Sequence, residues 1–111
     1  MRNKKIAELG KMARDASELL SAMANEKRLM ILCHLLDGEI NVNELADLVG
    51  MNQSALSQQL SKLRALRLVE TRRDAQQVFY RLASKKVERV LQTLYGIYCE
   101  PQGKPARSRA A

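Results

Sequence analysis

Residues 52–64 read NQSALSQQLSKLR. Leu56, Leu60 and Leu63 recur at the spacing of a single apolar helical face. Around them the stretch is almost wholly hydroxyl, amide and basic, without one carboxylate. Solvated helix faces usually mix Glu with Lys, because opposite charges at i and i+4 support each other. On a helical wheel Ser54, Ser57, Gln58 and Ser61 lie opposite the leucine stripe, with Lys62 beside them. The stretch therefore predicts a helix with one face for a core and another that offers donors and acceptors but no negative charge.

The flanking sequence places that helix in a larger pattern. Asn41 and Glu44 fit a capping box, with Asn in place of the usual Ser or Thr, and would open a short helix, VNELADLV, stopped by Gly50. Met51 and Asn52 make a brief turn, Asn52 capping the helix quoted above. A short helix, a Gly-containing turn and a longer helix is the helix-turn-helix pattern. Upstream, Asn25 is an N-cap for EKRLMILCHLL, which ends at Asp37-Gly38. Before it one helix is expected from Ile6 to Met23, with Leu9, Met12, Ala16, Leu19, Leu20 and Met23 on one side. Downstream, VETRR and VFYRL flank the polar tip DAQQ, and Val78, Tyr80 and Leu82 alternate as on a strand, which reads as a β-hairpin with a basic first strand. Ser84 caps a final helix to about Cys99, with Val87, Leu91, Leu94 and Tyr98 on one face. The expected architecture is mainly α with a β-hairpin, one domain over residues 1–99, and a disordered basic tail over 100–111 containing Lys104, Arg107 and Arg109.

Composition bounds the function. A chain of 111 residues with 46% apolar content suits one modest core. No run of about 18 apolar residues suggests a membrane span. The N-terminus lacks the continuous apolar block and cleavage site of a secretory signal, so a cytoplasmic location is expected. Nineteen Lys and Arg against twelve Asp and Glu give a net charge of +7, which favours a polyanionic partner, nucleic acid or an anionic membrane surface, although solubility alone would also account for it. One histidine, His34, and no nucleophile motif or acid–base pair leave little for an enzyme to use.

Nucleic acid is the partner that suits the carboxylate-free face. A base edge in the major groove presents donors and acceptors that Gln53, Ser54, Ser57, Gln58 and Ser61 can match, and Lys62 can read guanine. The amides at the helix start can hold a phosphate. Arg72, Arg73 and Gln76 of the hairpin are placed for an adjacent backbone or minor groove. The competing reading is a Ser/Gln-rich helix that simply faces water.

Three segments together resemble the ArsR/SmtB family of winged-helix repressors: NEKRLMILCHLL, NVNELADLVGMNQSALSQQLSKLR and VETRRDAQQVFYRL. The resemblance covers about residues 15–99, and the SALSQxLxxLR core followed by a hairpin ending in FYRL carries it. It implies a winged helix-turn-helix homodimer paired through its first and last helices. The 53–65 helix would enter the major groove of a roughly palindromic double-stranded operator, and the 69–82 hairpin would be the wing. Helices at the two ends of so small a chain cannot all be buried in one protomer. Leu9, Met12, Leu91, Leu94, Tyr95 and Tyr98 are accordingly expected at a dimer interface. Two departures stand out. Arg67 lies where relatives commonly carry Gly, so a left-handed residue there would cost about 1 kcal/mol and the turn is expected to differ locally. Ala75 replaces a frequent glycine at the wing tip, so a tight glycine turn is not expected there.

Many members of this family release DNA on binding metal. The usual metal motifs would fall in VNELADLV, which has no Cys or His, and in KKVERVLQTLYGIYCE, which has no Asp or His. A tight zinc site wants about four ligands, so neither a metal nor another cofactor is expected. The two cysteines, Cys33 and Cys99, do not suggest a disulfide scaffold in a cytosolic chain. Their positions resemble the redox- and sulfide-responsive branch of the family. That branch implies a disulfide or polysulfide link, made by an oxidant or reactive sulfur species, that lowers operator affinity. A direct disulfide needs Cα atoms roughly 4.4–6.8 Å apart, whereas a polysulfide spans more. Against a sensor role, Cys33 sits in an apolar helix where cysteine is often a small hydrophobe, and Cys99 sits near the negative end of a helix dipole. His34 lies about 100° around the helix from Cys33 and reads as structural or surface. The rivals are a constitutive repressor or antirepressor without a chemical input, and a helical protein-interaction module.

Overall fold

The computed structural model describes residues 2–99, and the basic segment 100–111 lies outside them. Six helices and three strands follow in the order α1 (Arg2–Lys11), α2 (Ala13–Met23), α3 (Glu26–Leu36), β1 (Ile40–Asn41), α4 (Val42–Val49), α5 (Gln53–Ala65), β2 (Val69–Asp74), β3 (Gln77–Leu82) and α6 (Lys85–Tyr98). Four of the helices start where a side chain satisfies an orphan backbone N–H. Asn25, Asn41, Asn52 and Ser84 accept from the amides of Arg28, Glu44, Ala55 and Val87 at 3.0, 2.8, 2.8 and 3.1 Å. Each such cap stabilises its helix by about 1 kcal/mol. The four caps are the ones expected from sequence.

The N-terminal segment departs from expectation. Where one helix was expected, the backbone breaks at Met12, whose φ of −104° and ψ of 6° leave the helical region. The Met12 N–H bonds Leu9 C=O at 2.9 Å, three residues back, and the α pattern resumes with Ala16 N–H on Met12 C=O at 2.9 Å. Gly10, a poor helix former, lies just before the break.

Both positions that lack the family glycine nevertheless adopt positive φ, Arg67 at 65° and Ala75 at 59°. Arg67 closes α5 in a Schellman motif: Leu68 N–H bonds Leu63 C=O at 3.0 Å and Arg67 N–H bonds Arg64 C=O at 2.9 Å. The motif turns Leu68 into the core beside Leu63, and that burial offsets the strain. Gly50 closes α4 in the same way, at φ 69°. At the wing tip only Ala75 and Gln76 separate the paired residues Asp74 and Gln77. The turn is therefore tight, with Ala75 and not a glycine in the left-handed position. Six consecutive pairs between β2 and β3, from Val69↔Leu82 to Asp74↔Gln77, hold the strands in register and oppose a local cost of about 1–3 kcal/mol.

The sheet has a third member. β1 pairs antiparallel with β3 through Ile40↔Tyr80 and Asn41↔Phe79, giving the order β1-β3-β2. Two residues offer no alternation to read, so sequence gave no sign of it. Leu56, Leu60 and Leu63 are fully buried in one core with residues of α3 and α4, and Val87 and Leu91 bring α6 into the same core. Leu91 is 3% exposed within one protomer, so it is a core residue and not the interface residue expected. Leu94 is half-buried. Leu9, Met12, Tyr95 and Tyr98 stay exposed, Tyr98 at 79%. Among the described residues no helix is long and apolar enough to cross a membrane.

Candidate nucleic-acid interface and thiol groove

With its leucines in the core, α5 turns Gln53, Ser54, Ser57, Gln58, Ser61 and Lys62 to the surface, all six exposed. Its orientation is set by long polar side chains from α3. Arg28 donates from Nε to Ala22 C=O at 2.7 Å and from Nη2 to Ser21 C=O at 3.4 Å, satisfying carbonyls at the end of α2. From Nη1 it also reaches Gln59 Oε1 of α5 at 3.4 Å. Lys27 Nζ lies 3.5 Å from Val49 C=O, a cation at the negative end of α4. At the other end of the motif Gln53 Nε2 donates to Asn43 Oδ1, joining the first residue of α5 to the second of α4.

The wing treats its two arginines differently, because neighbours on a strand face opposite ways. Arg72 forms a bidentate pair with Glu39, Nη2 to Oε1 at 2.7 Å and Nε to Oε2 at 3.0 Å, and stacks 4.7 Å from the centroid of Phe79 opposite it. The Arg72 hydrogen bond holds the Glu39 carboxyl below its ordinary range. Glu70 and Arg81 pair across the strands at 2.6 Å. Arg73, exposed, has no ion pair among the described residues, and Gln76 is exposed at the tip. Of the hairpin residues expected to meet nucleic acid, Arg73 and Gln76 are presented to solvent, while Arg72 is already held by a carboxylate.

The two cysteines line one groove. Leu29, Cys33 and Leu36 form one face of α3, spaced i, i+4 and i+7, and Leu94, Tyr95 and Tyr98 form the facing side of α6. Between them runs a groove of about 730 Å³, also lined by Cys99 at the end of α6. Both thiols are free, Cys33 half-buried and Cys99 exposed. Burial pushes the Cys33 thiol up from its ordinary value, and the negative charge of a Cys99 thiolate adds to the shift. His34 is absent from the groove lining, half-buried on another side of α3. Among the described residues, no group of three or more Cys, His, Asp or Glu converges on a point where a metal ion could sit.

Three residues that position these surfaces were not singled out from sequence. Arg28 and Glu39 act on partners 31 and 33 residues away, and nothing local announces such pairs. Asn43 reaches Gln53 ten residues on, from the start of α4 to the start of α5, a contact set by the angle between the two helices and not by local spacing.

The comparisons with known proteins agree with this geometry. A family profile described as "Bacterial regulatory protein, arsR family" matches residues 25–71. The transcriptional activator HlyU of Vibrio cholerae is 48% identical over 95 residues, covering 86% of this chain and 88% of that protein. The biofilm growth-associated repressor of Agrobacterium fabrum is 45% identical, covering 83% of this chain and 79% of that protein. In three dimensions the transcriptional repressor BigR from Xylella fastidiosa superposes with a TM-score of 0.81 at 40% identity, covering 85% of this chain and 96% of that one. A helix-turn-helix with a hairpin wing in a three-stranded sheet, together with relatives of this similarity over most of their length, makes the chain a transcriptional regulator of the bacterial ArsR family with the winged helix-turn-helix fold.

Proposed function

We propose that this protein is a homodimeric, cytoplasmic repressor that releases its operator when Cys33 and Cys99 become linked. The observation that carries the reading is that two thiols far apart in sequence line one groove between α3 and α6. The exposed, carboxylate-free face of α5 supports base contacts by Gln53, Ser54, Ser57, Gln58, Ser61 and Lys62, with Arg73 and Gln76 of the wing at the flanking backbone. Arg72 joins them only if phosphate displaces Glu39. Dimerisation is supported by the exposed apolar residues Leu9, Met12, Tyr95 and Tyr98 at the two ends of the chain, with Leu94 beside them.

The chemistry is an oxidation. Joining the two thiols removes two electrons and two protons, which an oxidant takes up. A sulfane-sulfur donor such as a hydropersulfide does the same, leaving as a thiol and hydrogen sulfide. A link pulls the end of α6 toward α3. Since α3 also packs on α4, and α6 carries much of the exposed apolar surface, the link would alter the spacing of two recognition helices in a dimer. The name of the V. cholerae relative, a transcriptional activator, favours a second reading in which the same DNA binding displaces another repressor.

The test is operator affinity by fluorescence anisotropy, on DNA upstream of the protein's own gene, with reduced and polysulfide-treated protein. Mass spectrometry on the same samples reports the sulfur link, and Cys33→Ser and Cys99→Ser serve as controls. Tight binding when reduced, and weakened binding only when both cysteines are present and linked, is the expected result. Unchanged affinity in linked protein would leave a repressor without this input. Transcription from the bound promoter then separates repression from antirepression.

A further inference from the structure

We propose that Asn43 is a specificity-determining residue, which orients the Gln53 amide so that the operator position it meets is read as adenine in preference to guanine. The inference rests on the reading that α5 meets base edges. It goes beyond that reading by assigning a role to a residue on the other helix of the motif.

A glutamine amide offers one acceptor oxygen and two N–H donors. Left free, it rotates, and can present either the acceptor with one donor or the amino group alone. Adenine shows N7 as acceptor and the N6 amino group as donor in the major groove, whereas guanine shows two acceptors, N7 and O6. Here one N–H of Gln53 is already given to Asn43 Oδ1. If the N–H given away is the one anti to Oε1, then Oε1 and the syn N–H remain side by side, which matches adenine on both atoms and guanine on one. The neighbouring amides are engaged elsewhere: Asn52 Oδ1 accepts from Ala55 N–H at 2.8 Å, and Asn41 Nδ2 lies 3.5 Å from Gln77 Oε1. Among these asparagines, Asn43 is the one directed at a base-facing side chain. Both Asn43 and Gln53 are exposed, so the pair sits on the surface that would face DNA.

The experiment uses the full-length reduced protein and a complete set of single-base variants of an operator selected from random DNA. The position Gln53 reads is the one whose base preference collapses in Gln53→Ala. At that position the wild type is expected to prefer adenine over guanine. Asn43→Ala, which frees the amide, should reduce the adenine-to-guanine ratio between about twofold and tenfold, the effect of releasing one ordered side chain. Asn43→Asp keeps an acceptor and can only accept, so it should retain the ratio while its charge lowers affinity for all DNA. Matched melting temperatures establish that the variants fold. A wild-type ratio in Asn43→Ala, together with loss of the ratio in Gln53→Ala, would overturn the role of Asn43 and leave base reading intact. If Gln53→Ala collapses no position, the base-reading assignment of Gln53 fails and the inference fails with it.

Discussion

Arg67→Gly should make the protein more stable, although it removes a residue from the end of the helix proposed to read DNA. The φ of 65° at Arg67 places it in the left-handed region, which costs a residue bearing a Cβ about 1–2 kcal/mol. Glycine lacks that penalty but loses more freedom on folding, about 0.5–1 kcal/mol. The net gain therefore lies between about 0 and 1.5 kcal/mol, centred near about 0.75, and at about 4–8 °C per kcal/mol for a domain of this size the melting temperature should rise by a few degrees. Arg67→Ala is the decisive control. It removes the same charge and side chain as the glycine variant but keeps the Cβ, so it should melt within about 0.5 kcal/mol of the wild type. Scanning calorimetry at one fixed protein concentration makes the comparison, because dimerisation would make melting depend on concentration. If the glycine variant melts at or below the alanine variant, the Schellman closure that seats Leu68 on Leu63 is wrong, and α5 ends in another way.

Ser57→Ala with Gln58→Ala should weaken binding at the operator while weak nonspecific binding persists; equal loss on all sequences would remove these residues from base reading. Arg73→Ala should lower the slope of log affinity against log salt by about one, and Arg72→Ala should lower it less, because Glu39 already neutralises that guanidinium; the reverse order would refute the assignment. Leu91→Ala should cost about 2–5 kcal/mol of stability as a core truncation, whereas Tyr98→Ala should shift monomer–dimer sedimentation with little change in protomer stability. Because burial and then the Cys99 charge push the Cys33 thiol up, its alkylation rate should still be climbing with pH where an ordinary thiol has levelled off. A plateau in the ordinary range would show that Cys33 is solvated.

The features legible in the sequence were those in which a residue acts on its near neighbours. Asn25, Asn41, Asn52 and Ser84 cap helices three residues ahead of their partners, and Leu56, Leu60 and Leu63 mark a face by spacing alone. The reading failed where tertiary structure overrides local preference. Arg67 and Ala75 hold positive φ because a buried leucine and a registered hairpin compensate, and no single-residue rule carries that compensation. Leu91 and Tyr98 share a helical face, yet only Leu91 reaches the core, since a face says nothing about where along the helix a neighbour ends. The candidate site divides in the same way. The exposed face of α5 was visible as a composition without carboxylates. The engagement of Arg72 by Glu39, which leaves Arg73 as the available cation, needed the sheet register.

The thiol groove is lined by α3, and α3 also touches α4 and α5, the helices that carry the proposed nucleic-acid face; through it the one would act on the other. At one end of this helix Lys27 holds the last turn of α4, and Arg28 holds α2 and Gln59 of α5. Cys33 follows Arg28 by five residues, about 7.5 Å along the axis. Over so short a distance a helix that shares a core with Leu45, Leu56 and Leu60 is expected to move as a rod, since a close-packed core resists local bending. On the proposed reading, a displacement imposed at the groove would be delivered to both helices of the motif. A change in operator affinity of 5- to 150-fold requires a coupling of about 1–3 kcal/mol. Disturbing the packing of a single buried leucine alters stability by a similar amount. The proposed link would need to unfold nothing to act: strain equivalent to one imperfect core contact, carried through α3, is of the required size.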